Sequence, residues 1–419
     1  MNARTNACVG AVVALASAQT VLAADYTYTR IALDPTVPSI LFATGHPVIN
    51  SAGEVAFGMW SLGDPCNEIY VGNGGPLSVA FDCDGPTSTI PGFPAINDAG
   101  VVSVWANRDV GPQALLTSTG AVILEVVPPI ASIFSGRCPI SASGMVAARV
   151  VLTNGFKAIY AGDGSTLVTV AAGGGGGPFG DILSDPDMNA SGTIVFVGVN
   201  SDGWGVYAWS GGGFSPISTQ IASGIPGVTL VNFGSPMISD AGVVAFYAQS
   251  GTLGSGLFVA SGGIVQPKVL LGGSILGFGL EGQFDVNDAG EVAYYAAANV
   301  GGVVKQGIFV GPDPNTDAVI LQGDSLDGST ATNVYMSRGC LNNAGQVAFT
   351  AILANGQSGV YVATPTPSGP LGDLNGDGVV DGADLGALLA AWGGSGPADL
   401  DGNGVVDGGD LGILLANWT

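Results

Sequence analysis

The 419-residue sequence predicts an all-β protein: a seven-bladed β-propeller closed by its own N-terminal strands, followed by a small α-helical calcium-binding module. Three observations carry this expectation. A short motif recurs seven times at the spacing of a propeller blade. The seventh repeat stops early, and the start of the chain carries the missing pieces. The composition, with 70 Gly, 47% apolar and only 10% charged residues, suits short strands joined by glycine turns, whereas disordered chains are poor in apolar residues.

The motif is an apolar residue, Asn or Ser, two small or polar residues, Gly, and then a strand. Its copies are INSAGEVAF (49–57), INDAGVVSV (96–104), ISASGMVAA (140–148), MNASGTIVF (188–196), ISDAGVVAF (238–246), VNDAGEVAY (286–294) and LNNAGQVAF (341–349). The Asn or Ser side chain can bond its own backbone two residues on, and the glycine supplies the positive φ of the turn. The following strand places small Ala where bulk is excluded. A second strand comes next: EIYVG (68–72), KAIYAG (157–162), GVYAWS (205–210), GLFVAS (256–261), GIFVG (307–311) and GVYVAT (359–364). A third follows, such as LSVAF (77–81), LVTVA (167–171) or AVILQ (318–322), and the residues before the next motif supply a fourth. Four short strands in roughly 45–50 residues make one blade.

The seventh repeat ends after GVYVAT and lacks its last two strands. TRIALD (29–34) matches LSVAFD (77–82) and HPVIN (46–50) matches FPAIN (93–97), so the N-terminus is expected to supply that missing half. Ring closure removes the exposed edges that a linear array would leave.

Residues 1–24 read as a secretory signal: Arg4 in a positive n-region, a short apolar run over 9–16, and VLAA at 21–24 for cleavage after Ala23 or Ala24. The mature chain, 25–364 for the propeller, 365–371 for a Pro/Ser/Thr linker and 372–419 for the calcium module, is expected to be secreted, extracellular or attached to a cell surface. No transmembrane segment remains after cleavage. Cys66 and Cys83 bracket EIYVGNGGPLSVAFD symmetrically about Gly74–Gly75, so a hairpin there places them face to face and predicts a disulfide in an oxidising compartment. Cys138 and Cys340 read as free buried thiols.

The C-terminal stretch contains DLNGDGVVDGAD (373–384) and DLDGNGVVDGGD (399–410). A calcium loop needs oxygen ligands at positions 1, 3, 5, 7, 9 and 12 with Gly at 6. The first copy offers Asp373, Asn375, Asp377, the Val379 carbonyl, Asp381 and Asp384, with Gly378 at the turn. The second offers Asp399, Asp401, Asn403, the Val405 carbonyl, Asp407 and Asp410, with Gly404. Two Ca²⁺ ions are therefore the expected cofactors. The segments behind the loops place Leu385, Leu388, Leu389, Trp392 and Leu411, Leu414, Leu415, Trp418 at helical spacing. Helices this short do not stand alone in water, so metal binding is expected to drive their folding.

Two resemblances follow from these residues. The repeats resemble a bacterial tandem-repeat family named for its N-x-x-G-x-x-A-F unit, whose members are extracellular and carry one of several C-terminal anchors. The duplicated loop–helix at 371–419 resembles a type I dockerin, and its ending ANWT resembles variants used as anchors. The resemblance implies attachment to a cohesin-like or cell-envelope protein. The family's hydroxyl-bearing recognition pair is replaced here by Gly382–Ala383 and Gly408–Gly409, and its basic pair by Leu389–Ala390 and Leu415–Ala416.

The net charge of −23 leaves no basic patch for nucleic acid or anionic lipid. With one histidine, His46, a histidine-based metal cluster is excluded, and no partner for a Ser-His-Asp site is flagged. The glycine run 173–177 leads to Pro178 in place of the Lys-Ser/Thr of a phosphate loop. Asp98, Asp240 and Asp288 recur at one turn position and are explained by the turn. The expected function is a non-catalytic exported scaffold with a glycan or protein ligand on the propeller. The alternative is a propeller glycoside hydrolase or lyase, which carboxylates converging in the channel would favour.

Overall fold

The structure, a computed structural model, describes residues 26–34, 46–60, 67–82, 87–174, 177–201, 203–279, 283–366, 370–375, 378–394, 398–401 and 405–419. The signal segment, Cys66, Cys83, Asp377, Asn403 and Gly404 lie outside these residues.

Seven antiparallel sheets follow one another along the chain. In blade 1 the order is Val48–Ile49, Val55–Trp60, Asn67–Gly72 and Ser78–Phe81. The motif glycine joins the first two strands in every blade: Gly53, Gly100, Gly144, Gly192, Gly242, Gly290 and Gly345 all have φ between 72° and 84°. A side chain at these positions would be strained, which explains the recurrence of glycine. The small residues behind the turn, from Ala56 and Ser103 to Ala293 and Ala348, are fully buried. In five blades the Phe or Tyr that follows faces an aromatic residue of the next strand: Phe57 with Tyr70, Phe196 with Tyr207, Phe246 with Phe258, Tyr294 with Phe309, and Phe349 with Tyr361. Repeats 2 and 3, which depart from the motif, place Val104 opposite Leu116 and Ala148 opposite Tyr160.

The third and fourth strands of every blade carry a bulge at one repeat position. It falls at Ile69/Tyr70, Leu115/Leu116, Ile159/Tyr160, Val206/Tyr207, Leu257/Phe258 and Ile308/Phe309. In the seventh blade, Tyr26–Asp34 pairs with Ser358–Pro365, and the shift between Arg30 and Ala32 falls opposite Tyr361 and Val360. The N-terminal strand therefore occupies the outer position of the last blade with the same local geometry as the other six. One strand is donated rather than two. The HPVIN segment pairs with Val55–Ala56 in blade 1, because the motif turn joins strands within a single sheet and each sheet thus begins before its motif.

Each interface between neighbouring sheets holds its own apolar cluster. The one between blades 7 and 1 contains Ile31, Val360 and Val362 on one side and Ile49, Val55 and Phe57 on the other. This cluster closes the ring.

The bulge has a sequence signature. At Gly205, Gly256 and Gly307 an added Cβ would run into the carbonyl oxygens of Ser218, Val269 and Ile320, well inside van der Waals contact. Gly307→Ala is expected to destabilise the protein by about 1–3 kcal/mol in a thermal or denaturant melt. Gly251→Ala, which meets nothing within 4 Å, should stay within about 0.5 kcal/mol.

The C-terminal module contains two nine-residue helices, α1 (Gly382–Ala390) and α2 (Gly408–Ala416). They share a small core of Val380, Leu388, Ala398, Val406 and Leu414. The two halves are tied by matching backbone bonds: Val406 exchanges bonds with Gly393 and Gly394, while Thr419 N–H donates to the Val380 carbonyl at 3.1 Å. Of the predicted helix faces only Leu388 and Leu414 are fully covered; Leu389, Trp392, Leu415 and Trp418 remain about half exposed. Among the described residues no helix is long and apolar enough to cross a membrane.

Candidate functional site

The seven motif turns ring one end of the axial channel, and their side chains link the blades. Asn50 Oδ1 accepts from the Ala52 and Glu54 N–H groups, as the turn chemistry predicts. Its Nδ2 donates to the Asn97 carbonyl of the next blade at 3.1 Å. Asn97 repeats this onto Ser141, Asn189 onto Ser239, and Asn342 onto Asn50 across the closure. A serine caps its own turn but cannot reach onward. After Ser141 the link is made by the Ala142 N–H to the Ala190 carbonyl, and after Ser239 by the Ala241 N–H to Asp288 Oδ1 at 2.6 Å. Asp98 and Asp240 likewise accept from Ser51 and Ala190 of the preceding blade. These aspartates are inter-blade ties, a role that reading each turn in isolation does not reveal. A cavity of about 140 Å³ lies inside this ring.

The opposite side of the same channel is chemically different. Four residues before each motif Asn or Ser stand His46, Phe93, Arg137, Asp185, Ser235, Gln283 and Arg338. All seven line one cavity of about 300 Å³. The scaffold position is repeated, while the side chain differs in nearly every blade. His46 stacks on Phe93 with ring centroids 3.6 Å apart. Arg137 crosses the channel, pairing with Asp187 of blade 4 and reaching the Arg338 carbonyl of blade 7 at 3.5 Å. Arg149 pairs with Asp185 at 2.9 Å. Arg338 donates to the Pro236 carbonyl and to Met237 Sδ. Three of the nine basic residues of a strongly acidic chain thus meet near its axis.

Asp187 and Asp285 stand two residues before their motif Asn, where the other repeats have Val48, Ala95, Pro139, Met237 and Cys340. Both are buried, and both tie neighbouring blades: Asp187 Oδ2 accepts from Ile238 N–H at 2.9 Å, and Asp285 Oδ2 from Leu341 N–H at 2.8 Å. A polar residue at an otherwise apolar repeat position is the signal in the sequence that marks these two aspartates. Cys138 and Cys340 are free and fully buried, and burial raises both thiols above their ordinary range.

Burial pushes Asp285 up to about 7, and burial pushes His46 down to about 4. The folded chain holds the Asp285 proton more tightly than the unfolded chain, so this group's contribution falls as pH rises from about 4 to 7. The folded chain resists protonating His46, so that contribution is lost as pH falls from about 6.5 to 4. In melts at pH 4.5 and 6.5, Asp285→Asn is expected to gain on wild type as pH rises, and His46→Gln to gain as pH falls. Each difference is bounded at about 1.4 kcal/mol per pH unit.

At the C-terminus, the carboxylate oxygens of Asp399, Asp401 and Asp410 lie within 4.8 Å of one another, an all-oxygen cluster suited to a hard metal ion. Asp410 Oδ1 accepts from the Leu400 and Asp401 N–H groups at 2.6 and 3.0 Å, and its Oδ2 from Asp407 N–H at 2.7 Å. Asp384 repeats the arrangement with Leu374, Asn375 and Asp381. These backbone donors hold both carboxyls below the usual range. Asp381 and Asp407, at loop position 9, cap α1 and α2 by accepting from Ala383 and Gly409. Gly378 has the positive φ expected of the sharp turn, and Asp373 Oδ2 accepts its N–H at 2.8 Å. The hairpin joining Asn67–Gly72 to Ser78–Phe81 is present.

No curated protein matches the chain. Solved structures are similar to the chain only at a low level. Prolyl endopeptidase shows 13% identity and a TM-score of 0.45 over 78% of this chain and 51% of that one. A puromycin-hydrolysing peptidase of Mycobacterium tuberculosis shows 13% identity and 0.46 over 83% and 55%. YCF48 bound to D1 peptide shows 12% identity and 0.38 over 80% and 98%. The chain spans about half the length of the two peptidases. A single family model, described as a family of unknown function, covers residues 89–358, more than half of the sequence, and the chain therefore belongs to that family, DUF7453.

Proposed function

We propose that this is an exported, non-catalytic β-propeller interaction protein, held to a surface or extracellular partner by a dockerin-like C-terminal module folded around two Ca²⁺ ions. The observation that carries the reading is the oxygen cluster of Asp399, Asp401 and Asp410 in one of two matching loop–helix halves. Asp373, Asn375, Asp377, the Val379 carbonyl, Asp381 and Asp384 would hold the first ion. Asp399, Asp401, Asn403, the Val405 carbonyl, Asp407 and Asp410 would hold the second, the position-12 aspartates also organising each loop through backbone N–H groups. Half-exposed Leu389, Trp392, Leu415 and Trp418 give the module an apolar surface for a cohesin-like or cell-envelope protein. The repeats' resemblance to the anchored N-x-x-G-x-x-A-F proteins supports the same reading.

One observation favours a glycoside hydrolase or lyase: Asp185, Asp187 and Asp285 converge on the channel. Each of them already accepts a backbone N–H from a neighbouring blade, and Asp185 and Asp187 also pair with arginine, which fits structural ties better than free acid–base groups. Retention of the full chain on cell-envelope fractions in calcium, and its release by a chelator, tests the attachment. Release of reducing sugar from acidic or neutral polysaccharides would replace the scaffold reading with the enzymatic one.

A further inference from the structure

We propose that the 300 Å³ mouth of the axial channel binds a small ring-bearing monocarboxylate, with Arg338 receiving the carboxylate and the His46–Phe93 stack receiving the ring. This deepens the reading of the propeller as a binding module by naming its ligand class, and it does not depend on the C-terminal module.

The position four residues before each motif Asn or Ser is set by one repeated scaffold, while its side chain differs from blade to blade. The seven that occur there are not equivalent. The aromatic pair His46 and Phe93, from blades 1 and 2, is flanked by an arginine on either side, Arg338 from blade 7 and Arg137 from blade 3. Asp185 and Gln283 stand farther round the ring. A flat aromatic wall thus lies next to two guanidinium groups, the pattern that suits a ring, stacked through its face, carrying an acid group.

The arginines differ in what they already hold. Arg137 is paired with Asp187, and Arg149 with Asp185. Arg338 makes no ion pair among the described residues; its contacts are a carbonyl and a thioether, both neutral. A guanidinium with no carboxylate bonded to it leaves its fork open to one, and an incoming carboxylate would satisfy it with two parallel bonds. Burial in the channel lowers the Arg338 guanidinium from its ordinary range, while Asp187, Asp185 and Asp285 act on it in the other direction without bonding to it. A single guanidinium without a bonded carboxylate suits a ligand that carries one carboxylate. The volume admits a single ring with its carboxylate, and Met336 and Val48 extend the apolar wall.

Titration calorimetry of the full chain in calcium, with glucuronate and benzoate as probes and glucose and benzamide as their neutral counterparts, tests the proposal. The expected result is saturable one-to-one binding of at least one acid, no binding of its neutral counterpart, and weakening with added salt. Arg338→Gln should weaken binding at least about tenfold, and Arg338→Lys should retain part of it. Far-UV circular dichroism and melting of both variants separate loss of the site from loss of the fold. Absence of acid-dependent binding, affinity unchanged in a folded Arg338→Gln protein, or binding of inorganic phosphate in preference to both acids would each overturn the proposal. Repeating the titration in chelator separates it from the attachment reading, since carboxylate binding should persist when envelope retention is lost.

Discussion

A chain lacking Tyr26–Asp34 is expected to lose its cooperative melt and to elute from a sizing column as aggregate. Removing this strand uncovers the edge of Ser358–Pro365, whose backbone groups are paired along its length from Tyr26↔Pro365 to Asp34↔Ser358. An unpaired apolar edge is a template for association with another chain. The deletion also removes Ile31 and Ala32 from the cluster that joins blades 7 and 1, and Tyr28 from its bond to the Val319 carbonyl at 2.7 Å. Burial of an Ile side chain contributes about 2 kcal/mol, so the cluster loss alone is a large fraction of a typical folding free energy. Ile31→Asp offers a milder version, placing an unpaired charge in the closing interface at a cost on the order of 3 kcal/mol or more. A deletion variant that melts like wild type and stays monomeric would mean that the ring does not depend on its donated strand.

Adding a chelator to the full chain is expected to unfold residues 371–419 while the propeller stays intact. The module's two helices are nine residues each, too short to persist without tertiary support, and its core has five buried side chains. Without a cation, the gathered carboxylates of Asp399, Asp401 and Asp410 repel one another. With calcium at one hundred times its dissociation constant, each ion adds about 2.7 kcal/mol to the folded state. Limited proteolysis read by mass spectrometry should give a stable fragment ending near residue 365 in chelator and full-length protein in calcium. Asp399→Asn combined with Asp401→Asn should reproduce the chelator pattern in the presence of calcium. Equal protection in both conditions would remove the metal from the account of this module's stability.

Much of the architecture is legible from residue spacing because each blade is built from local contacts. The motif glycines, the small residues behind them and the facing aromatics all act within about twenty residues of one another, so their pattern survives in one dimension. The count of donated strands was less legible. Matching HPVIN to FPAIN was correct, but the match does not say which sheet either segment joins, and the pairing of Val48 with Ala56 decides that. The motif asparagine shows the same division. Its bonds to its own turn follow from the residue type, whereas its second bond, from Asn50 to Asn97 or from Asn342 to Asn50, needs the neighbouring blade in place. In the C-terminal module the helix spacing placed eight apolar residues on two faces, yet only Leu388 and Leu414 are fully covered, because two short helices lack the area to cover the rest.

What lay within the linear chain, then, was the repeat, its turn chemistry, the closing role of the N-terminus and the duplicated acidic loops, each carried by residues close in sequence. What only folding decided was the channel. His46, Arg137 and Arg338 are separated in sequence by between about ninety and about three hundred residues and meet because seven sheets close around one axis. Closure also withdraws Asp285 from water, and with it the solvation that would keep its carboxyl in the ordinary range. Proximity across the ring and exclusion of solvent belong to the assembled propeller, and no single repeat contains either.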